Sequence, residues 1–364
     1  MSRFSDFWRH TAALTVKEVR QIVRDKSAFL LGIVMPVTLI LLFGYGITFD
    51  IRDVRLAVAD EARTGESTAV AADLVYNPIF KVTPVKTRAE GEALLKDFTV
   101  EGLLVMKLSD GALTESLTVD GIDATRAVMV GNAVTGALGV IAAKSQTSAG
   151  VTVTPRIWFN ESAESRWYLV PGLMVVVLTL TGMMLTGLVL AREWERGTME
   201  AMMATPVSPL AFLISKTVPY FVLGMTGWGL CFAAGVFLYD VPVRGSATIV
   251  TASSVLYLLM GLGLGLFISG KTRSQFLVSQ VTVLAGFLPA VILSGFIFDL
   301  RSAPAWANVI AHLFPPVYYM ELLRVGFLTG GMESLVIRDF AVLTGFAAVF
   351  LFLAYRMCAK RIRR

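Results

Sequence analysis

The chain has 364 residues, of which 55% are hydrophobic and 16% charged, with a formal net charge of +5. This balance excludes a soluble enzyme built round one buried core, and the basic excess reads as membrane topology, not as nucleic-acid binding. Two cysteines on different predicted elements, Cys231 and Cys358, exclude a disulfide framework or a cysteine zinc site.

Residues 1–27 carry a helical pattern. Phe4, Trp8, Ala12, Val16, Val19 and Val23 recur at three- and four-residue spacing, and Arg3, His10, Lys17 and Arg24 recur at seven on another face. An amphipathic interface helix follows, suited to the headgroup plane or to packing on a partner. The first apolar run, Ala28–Phe49, can cross a bilayer by itself. A crossing takes about 20 apolar residues, because backbone polar groups find no water in hydrocarbon. The run starts late and is too long for the core of a cleavable signal.

Residues 50–166 hold twelve basic and sixteen acidic residues and are long enough for a domain. Alternation over Val54–Ala59, Phe80–Val85, Gly102–Lys107, Leu113–Val119 and Val151–Phe159 predicts strands. Helices are predicted over Glu66–Tyr76, Arg88–Phe98 and Ala124–Gln146, with turns at Asn77-Pro78, Asp110-Gly111 and Asp120-Gly121. The expectation is a small inserted α+β domain outside the cytoplasm.

Four more charge-free runs can cross: Trp167–Ala191, Thr217–Tyr239, Gly245–Gly270 and Ser274–Phe298. A sixth, Phe340–Tyr355, covers only roughly 24 Å and needs Arg338 and Arg356 to snorkel or the bilayer to thin locally. The fold class is therefore an α-helical polytopic membrane protein with six transmembrane helices. Pro289 predicts a break in the fifth span. Residues 299–339, with Pro304, Pro315 and Pro316, predict a re-entrant hairpin on the outer face. Before the first span there are six basic and three acidic residues, after the last five basic and no acidic, and Lys271–Arg273 adds two cations. Basic residues crowd cytoplasmic loops, so both termini are expected in the cytoplasm. The five long runs hold no ionisable residue, which argues against a proton- or sodium-coupled carrier, and His312 reads as a hairpin residue.

Residues Gly265–Thr272 match the phosphate-loop pattern G-x-x-x-x-G-K-T, and Leu328–Met332 echoes a transporter-ATPase signature. The first lies at the end of a membrane helix and the second on the outer side, so no ATPase site is read in this chain. After the second span comes the most charged stretch near the membrane, Arg192–Glu200, followed by Ala201–Pro206 within a connection over residues 192–216. A short cytoplasmic helix is expected, serving either as a docking surface with adaptable methionines or as a solvated elbow.

Several stretches together resemble the ABC-2 type permeases, in the multidrug-exporter-like branch with a large external loop. They are Arg156–Glu161, Ser165–Gly172, Glu193–Glu200, Leu293–Phe298, Leu313–Tyr318 and Leu323-Arg324. Asp299 follows Phe298 where many relatives carry proline. The resemblance implies a dimer of permeases, identical or related, in the bacterial inner membrane. It also implies a separate ABC ATPase subunit, which would bind the ATP and magnesium; no cofactor is expected on this chain. Residues Glu193, Trp194, Glu195, Arg196, Gly197, Thr198, Met199 and Glu200 would couple to the ATPase. Trp8, Lys17, Arg20 and Arg24 would form a second docking surface, and Pro289, Ser294, Gly295 and Phe296 an outer gate. The external domain would cap the pathway and meet a periplasmic adaptor. Export of hydrophobic or drug-like compounds is the expected function. An ion-coupled carrier, or a sensor with an external ligand-binding domain, is the alternative.

Overall fold

The computed structural model describes residues 3–46, 53–97, 99–109, 112–120, 124–145, 164–205, 207–297, 300, 303–329 and 333–362. It opens with α1 (Arg3–Arg24). This helix has three faces where its sequence pattern suggests two. Thr11 and Glu18 are buried, flanked by half-buried Phe7, Leu14, Gln21 and Ile22, and this mixed face packs on the third span. Trp8, Val16, Val19 and Val23 stand exposed, as the apolar side of an interfacial helix does. Asp25 then accepts from the Ser27 N–H at 2.9 Å and caps α2 (Lys26–Gly46), the first span.

Residues Phe49–Arg156 form one compact unit, and Met1–Thr48 with Ile157–Arg364 form the other. The described residues of the smaller unit hold four strands: β1 (Val54–Asp60), β2 (Phe80–Val85), β3 (Gly102–Ser109) and β4 (Ala112–Val119). Their order is β2-β1-β3-β4, with β1 parallel to β2 and β3, and β4 antiparallel to β3. Parallel neighbours need crossovers, supplied by α3 (Gly65–Tyr76) and α4 (Arg88–Lys96). Thr64 and Ser67 cap α3 reciprocally, and Thr87 caps α4. Val70 and Leu74, with Val130 and Val134 of α5 (Ala124–Ser145), cover one sheet face through Leu56, Val58, Leu104 and Met106. Leu94 and Leu95 of α4 pack with Ala57, Leu103 and Val105 of the other face. The expected α+β insert is present; the fifth predicted strand, Val151–Phe159, lies outside the described residues.

In the larger unit α6 (Arg166–Glu195) is the axis: 83% of its apolar stretch is buried, against 17% for the last helix. Gly197, at φ +71°, turns the chain from α6 into α7 (Thr198–Met203), a conformation that favours glycine. Ser208 caps α8 (Pro209–Phe237), and α9 (Ala247–Thr272) follows. Glycine lets α6 and α9 touch backbone to backbone: a Cβ on Gly182 would lie 3.2 Å from the Gly261 Cα. The fifth span is α10 (Gln275–Leu293). It breaks from α geometry into π-helical turns at Val283–Phe287 and Pro289–Leu293, so the break expected at Pro289 is there. Two short helices, α11 (Ala305–Ala311) and α12 (Pro315–Arg324), precede the sixth span, α13 (Glu333–Ile362).

Among the described residues six helices are long and apolar enough to cross a membrane, as expected, but three features differ from the sequence reading. The sixth helix has 30 residues and is not short. It reaches across Asp339, which is fully buried, and Arg338 is bonded to that carboxylate at 2.7 Å. The connection over residues 192–216 shrinks from both sides, because α6 continues through Glu195 and α8 begins at Pro209. Lys216, read as a loop charge, is inside α8 and 2% exposed. The spans are therefore not free of ionisable side chains; Lys216 and Asp339 lie inside them, each in an ion pair. The phosphate-loop look-alike, Gly265–Thr272, is continuous helix.

Candidate functional site

At one end of the bundle a buried ionic joint ties three helices together. Lys216 of α8 donates to Glu193 of α6 at 2.6 Å and to Glu18 of α1 at 2.8 Å. Lys17, on the rim, reaches the same two carboxylate oxygens at 2.9 Å each. Two cations and two anions cancel, which is the condition for holding charge out of water. Burial works against the Lys17 ammonium, but Glu193 and Glu18 outweigh it and hold its pKa above the ordinary value. Glu18 Oε2 and Glu193 Oε2 remain buried without a partner.

Beside this joint Arg192 pairs with Asp25 at 2.6 Å, which clamps the start of the first span to the end of α6. Burial pushes the Asp25 carboxyl up, yet the Ser27 amide and Arg192 together hold it below its usual value. Glu195 accepts from the Gln275 backbone N–H at 2.8 Å and from its side-chain amide, which fastens α6 to α10. Arg273 lies over the Trp194 ring at 4.6 Å. Met199 is buried among Leu190, Phe212, Leu213 and Leu266. Between α1 and α7 lies a cavity of about 470 Å³, lined by Lys17, Gln21, Arg24, Arg192, Arg196 and Thr198 among others.

The residues expected to contact another chain thus divide. Glu193 and Met199 are buried and Glu195 is committed to Gln275, whereas Arg196, Thr198, Glu200, Arg20, Arg24 and Trp8 remain exposed. Glu18, Asp25, Arg192 and Lys216 complete the site. Arg192 lay inside the charged stretch expected to dock and Lys216 at the end of the connection over residues 192–216, whereas Glu18 and Asp25 were not singled out.

The opposite end is held differently. Gly295, at φ +83°, turns its carbonyl to the Tyr168 hydroxyl, which donates at 2.5 Å, and to Arg324, which donates at 2.6 Å. The Arg324 guanidinium also donates to the Tyr168 hydroxyl at 3.0 Å and lies over that ring at 5.0 Å. Phe296 packs on Gly172 so closely that a Cβ there would fall 1.9 Å from its ring. Ser294 donates to the Ala290 carbonyl at 2.5 Å, one turn after buried Pro289. The structure brings Ser294, Gly295 and Phe296 together with Tyr168, Gly172 and Arg324, all from the stretches that carry the family resemblance.

Deeper in the bundle Tyr257 and Tyr319 stack at 4.2 Å, each hydroxyl satisfied by Thr179 or Ser254. This ties α9 and α12 to the axis without charge.

Over residues 26–356 the chain matches the family described as ABC-2 family transporter protein. It is 35% identical to the probable multidrug ABC transporter permease YbhS of Escherichia coli strain K12, with 98% of each chain covered. It is 26% identical to the probable multidrug ABC transporter permease YbhR of the same strain, over 57% of this chain and 56% of that one. Identity to the inner membrane transport permease YhhJ, also of that strain, is 26% over 58% and 57%. Matched from its first span to its last, this six-span chain belongs to the ABC-2 family of transporter proteins, as the membrane subunit of an ABC exporter.

Proposed function

We propose that this subunit moves hydrophobic or amphiphilic compounds, such as drugs, out of the cytoplasm or the inner leaflet of a bacterial inner membrane. The α1 end and both termini face the cytoplasm, where a separate ATPase subunit docks and binds the ATP and magnesium. The Gly295 end faces outward and acts as the gate, two subunits of this kind line the pathway, and the Phe49–Arg156 unit meets an adaptor outside. The cargo class is supported by the name of the relative YbhS and by a bundle interior of Leu, Val, Met, Thr and Tyr side chains.

One observation carries the coupling role. The exposed residues Arg196, Thr198 and Glu200 sit within a few residues of Glu193, which is bonded into α1 and α8 at once. A push on that exposed segment therefore moves three helices as one body, as a lever must. Reconstitution with the co-purifying ATPase in proteoliposomes tests it. Arg196→Glu with Glu200→Lys is expected to abolish stimulation of the ATPase while insertion is unchanged. Full stimulation by the double variant refutes the docking assignment. Flux that collapses with a protonophore at constant ATP points to the ion-coupled reading instead.

A further inference from the structure

Where α12 meets α13 lies a second set of charges that no part of the coupling reading uses. Asp339 of α13 is fully buried. One of its oxygens accepts from Arg338 at 2.7 Å; the other, Oδ2, is buried with no partner. Arg338 also reaches Glu321 of α12 at 2.6 Å, so one guanidinium gathers both carboxyls. With both carboxyls ionised, a buried oxygen stays unpartnered and the three side chains sum to one negative charge. One proton removes both defects: it makes one carboxyl a donor to the other and brings the group to neutrality.

We propose that Glu321 and Asp339 form a proton-binding site, in which a single shared proton holds α12 against α13. Glu321 is the accessible partner, with 27% of its side chain exposed, and Asp339 is the enclosed one. A proton from water binds at Glu321, its O–H donates to Asp339, and the same proton returns to water on release. The other titratable or charged groups acting on the pair are Arg338 from α13, His312 from the turn before α12, and Tyr318 on α12 itself. Burial, reinforced by Asp339, raises the Glu321 carboxyl to about 7. The proton is therefore bound below neutrality and lost as pH rises through it, and the contact between α12 and α13 loosens in that direction.

Infrared difference spectra of the full chain in nanodiscs, taken between about pH 6 and about pH 8, test the proposal. Wild type is expected to show a protonated-carboxyl band that disappears toward the alkaline end. Glu321→Gln and Asp339→Asn are each expected to abolish the change. Hydrogen exchange over residues 315–324, corrected for its intrinsic pH dependence, should rise across the same interval in wild type and stay flat in Glu321→Gln. No carboxyl band in wild type, a band that survives both variants, or an unchanged exchange slope in Glu321→Gln would overturn the site. Should neither variant reach the membrane, Arg338→Gln serves instead. Loss of the cation should move the wild-type midpoint to higher pH, and an unmoved midpoint counts against the pair.

Discussion

The two ends of the bundle are fastened by different chemistry. At the α1 end, the joint is made of whole charges removed from water: Lys216, Glu193 and Glu18, with Lys17 at the rim. At the Gly295 end, one backbone carbonyl takes two donors, Tyr168 and Arg324, beside a phenyl ring seated on a glycine. The first kind of joint cannot open halfway, because each partner removed leaves another charge stranded. The second can exchange its few hydrogen bonds for water at about 1–3 kcal/mol each. A bundle with a rigid end and a yielding end transmits movement toward the yielding one.

Substitutions that dismantle each end sharpen this contrast. The largest effect is expected from Lys216→Met, which leaves Glu18 and Glu193 with only the rim cation. The cost should be about 3–5 kcal/mol, read as lower thermal stability of the purified chain. A shift no larger than that of a surface substitution would mean that the joint is not rigid. Next comes Gly172→Ala, whose Cβ collides with Phe296; overpacking of this kind costs about 1–3 kcal/mol. Phe296→Leu in the same chain should recover most of the loss, and additive penalties would show that the two residues do not meet.

A milder effect separates the ends by pH. Asp25 is held below its ordinary value of 3.8, so what it contributes is present above that value and lost as pH falls through the lowered one. Hydrogen exchange in α1 should accelerate in that acid range, and Asp25→Asn should remove the step. An unaltered step in the variant would assign it elsewhere. Smallest of all on the fold is Arg196→Glu with Glu200→Lys. The pair should leave the melting temperature of the isolated subunit in place even as ATPase stimulation is lost; a lower melting temperature would make these residues part of the joint.

The spans and the small sheet were legible because their signals are local. Long apolar runs mark the helices, Pro289 marks a break, and alternation marks Val54–Ala59 and Phe80–Val85. The ionic joint was not legible. Its partners Lys216 and Glu18 lie 198 residues apart; Lys216 looks like an ordinary charge at the border of an apolar segment, and Glu18 like one more polar residue of an amphipathic helix. The pattern of α1 shows its apolar stripe but not the face that packs. The cleanly apolar stripe of Trp8, Val16, Val19 and Val23 faces outward, whereas the buried face mixes Thr11 and Glu18 with Phe7 and Leu14. Periodicity separates faces but does not name their neighbours, and in a membrane helix the greasiest side goes to lipid. The hairpin end fell between these cases. Tyr168, Gly295 and Arg324 were visible as residues of recognisable stretches, but their convergence on one carbonyl needed the fold.

The wide turns in α10 have a mechanical implication of their own. A π-helical turn holds one residue more than an α turn, and α10 carries two of them in succession. If either tightened to ordinary α geometry, everything beyond it would rotate by about 100° and advance by about 1.5 Å along the axis. Ser294, Gly295 and Phe296 lie directly beyond. The helix is thus threaded like a screw, and a single residue's worth of tightening would swing the Gly295 carbonyl away from the guanidinium and phenol that now hold it.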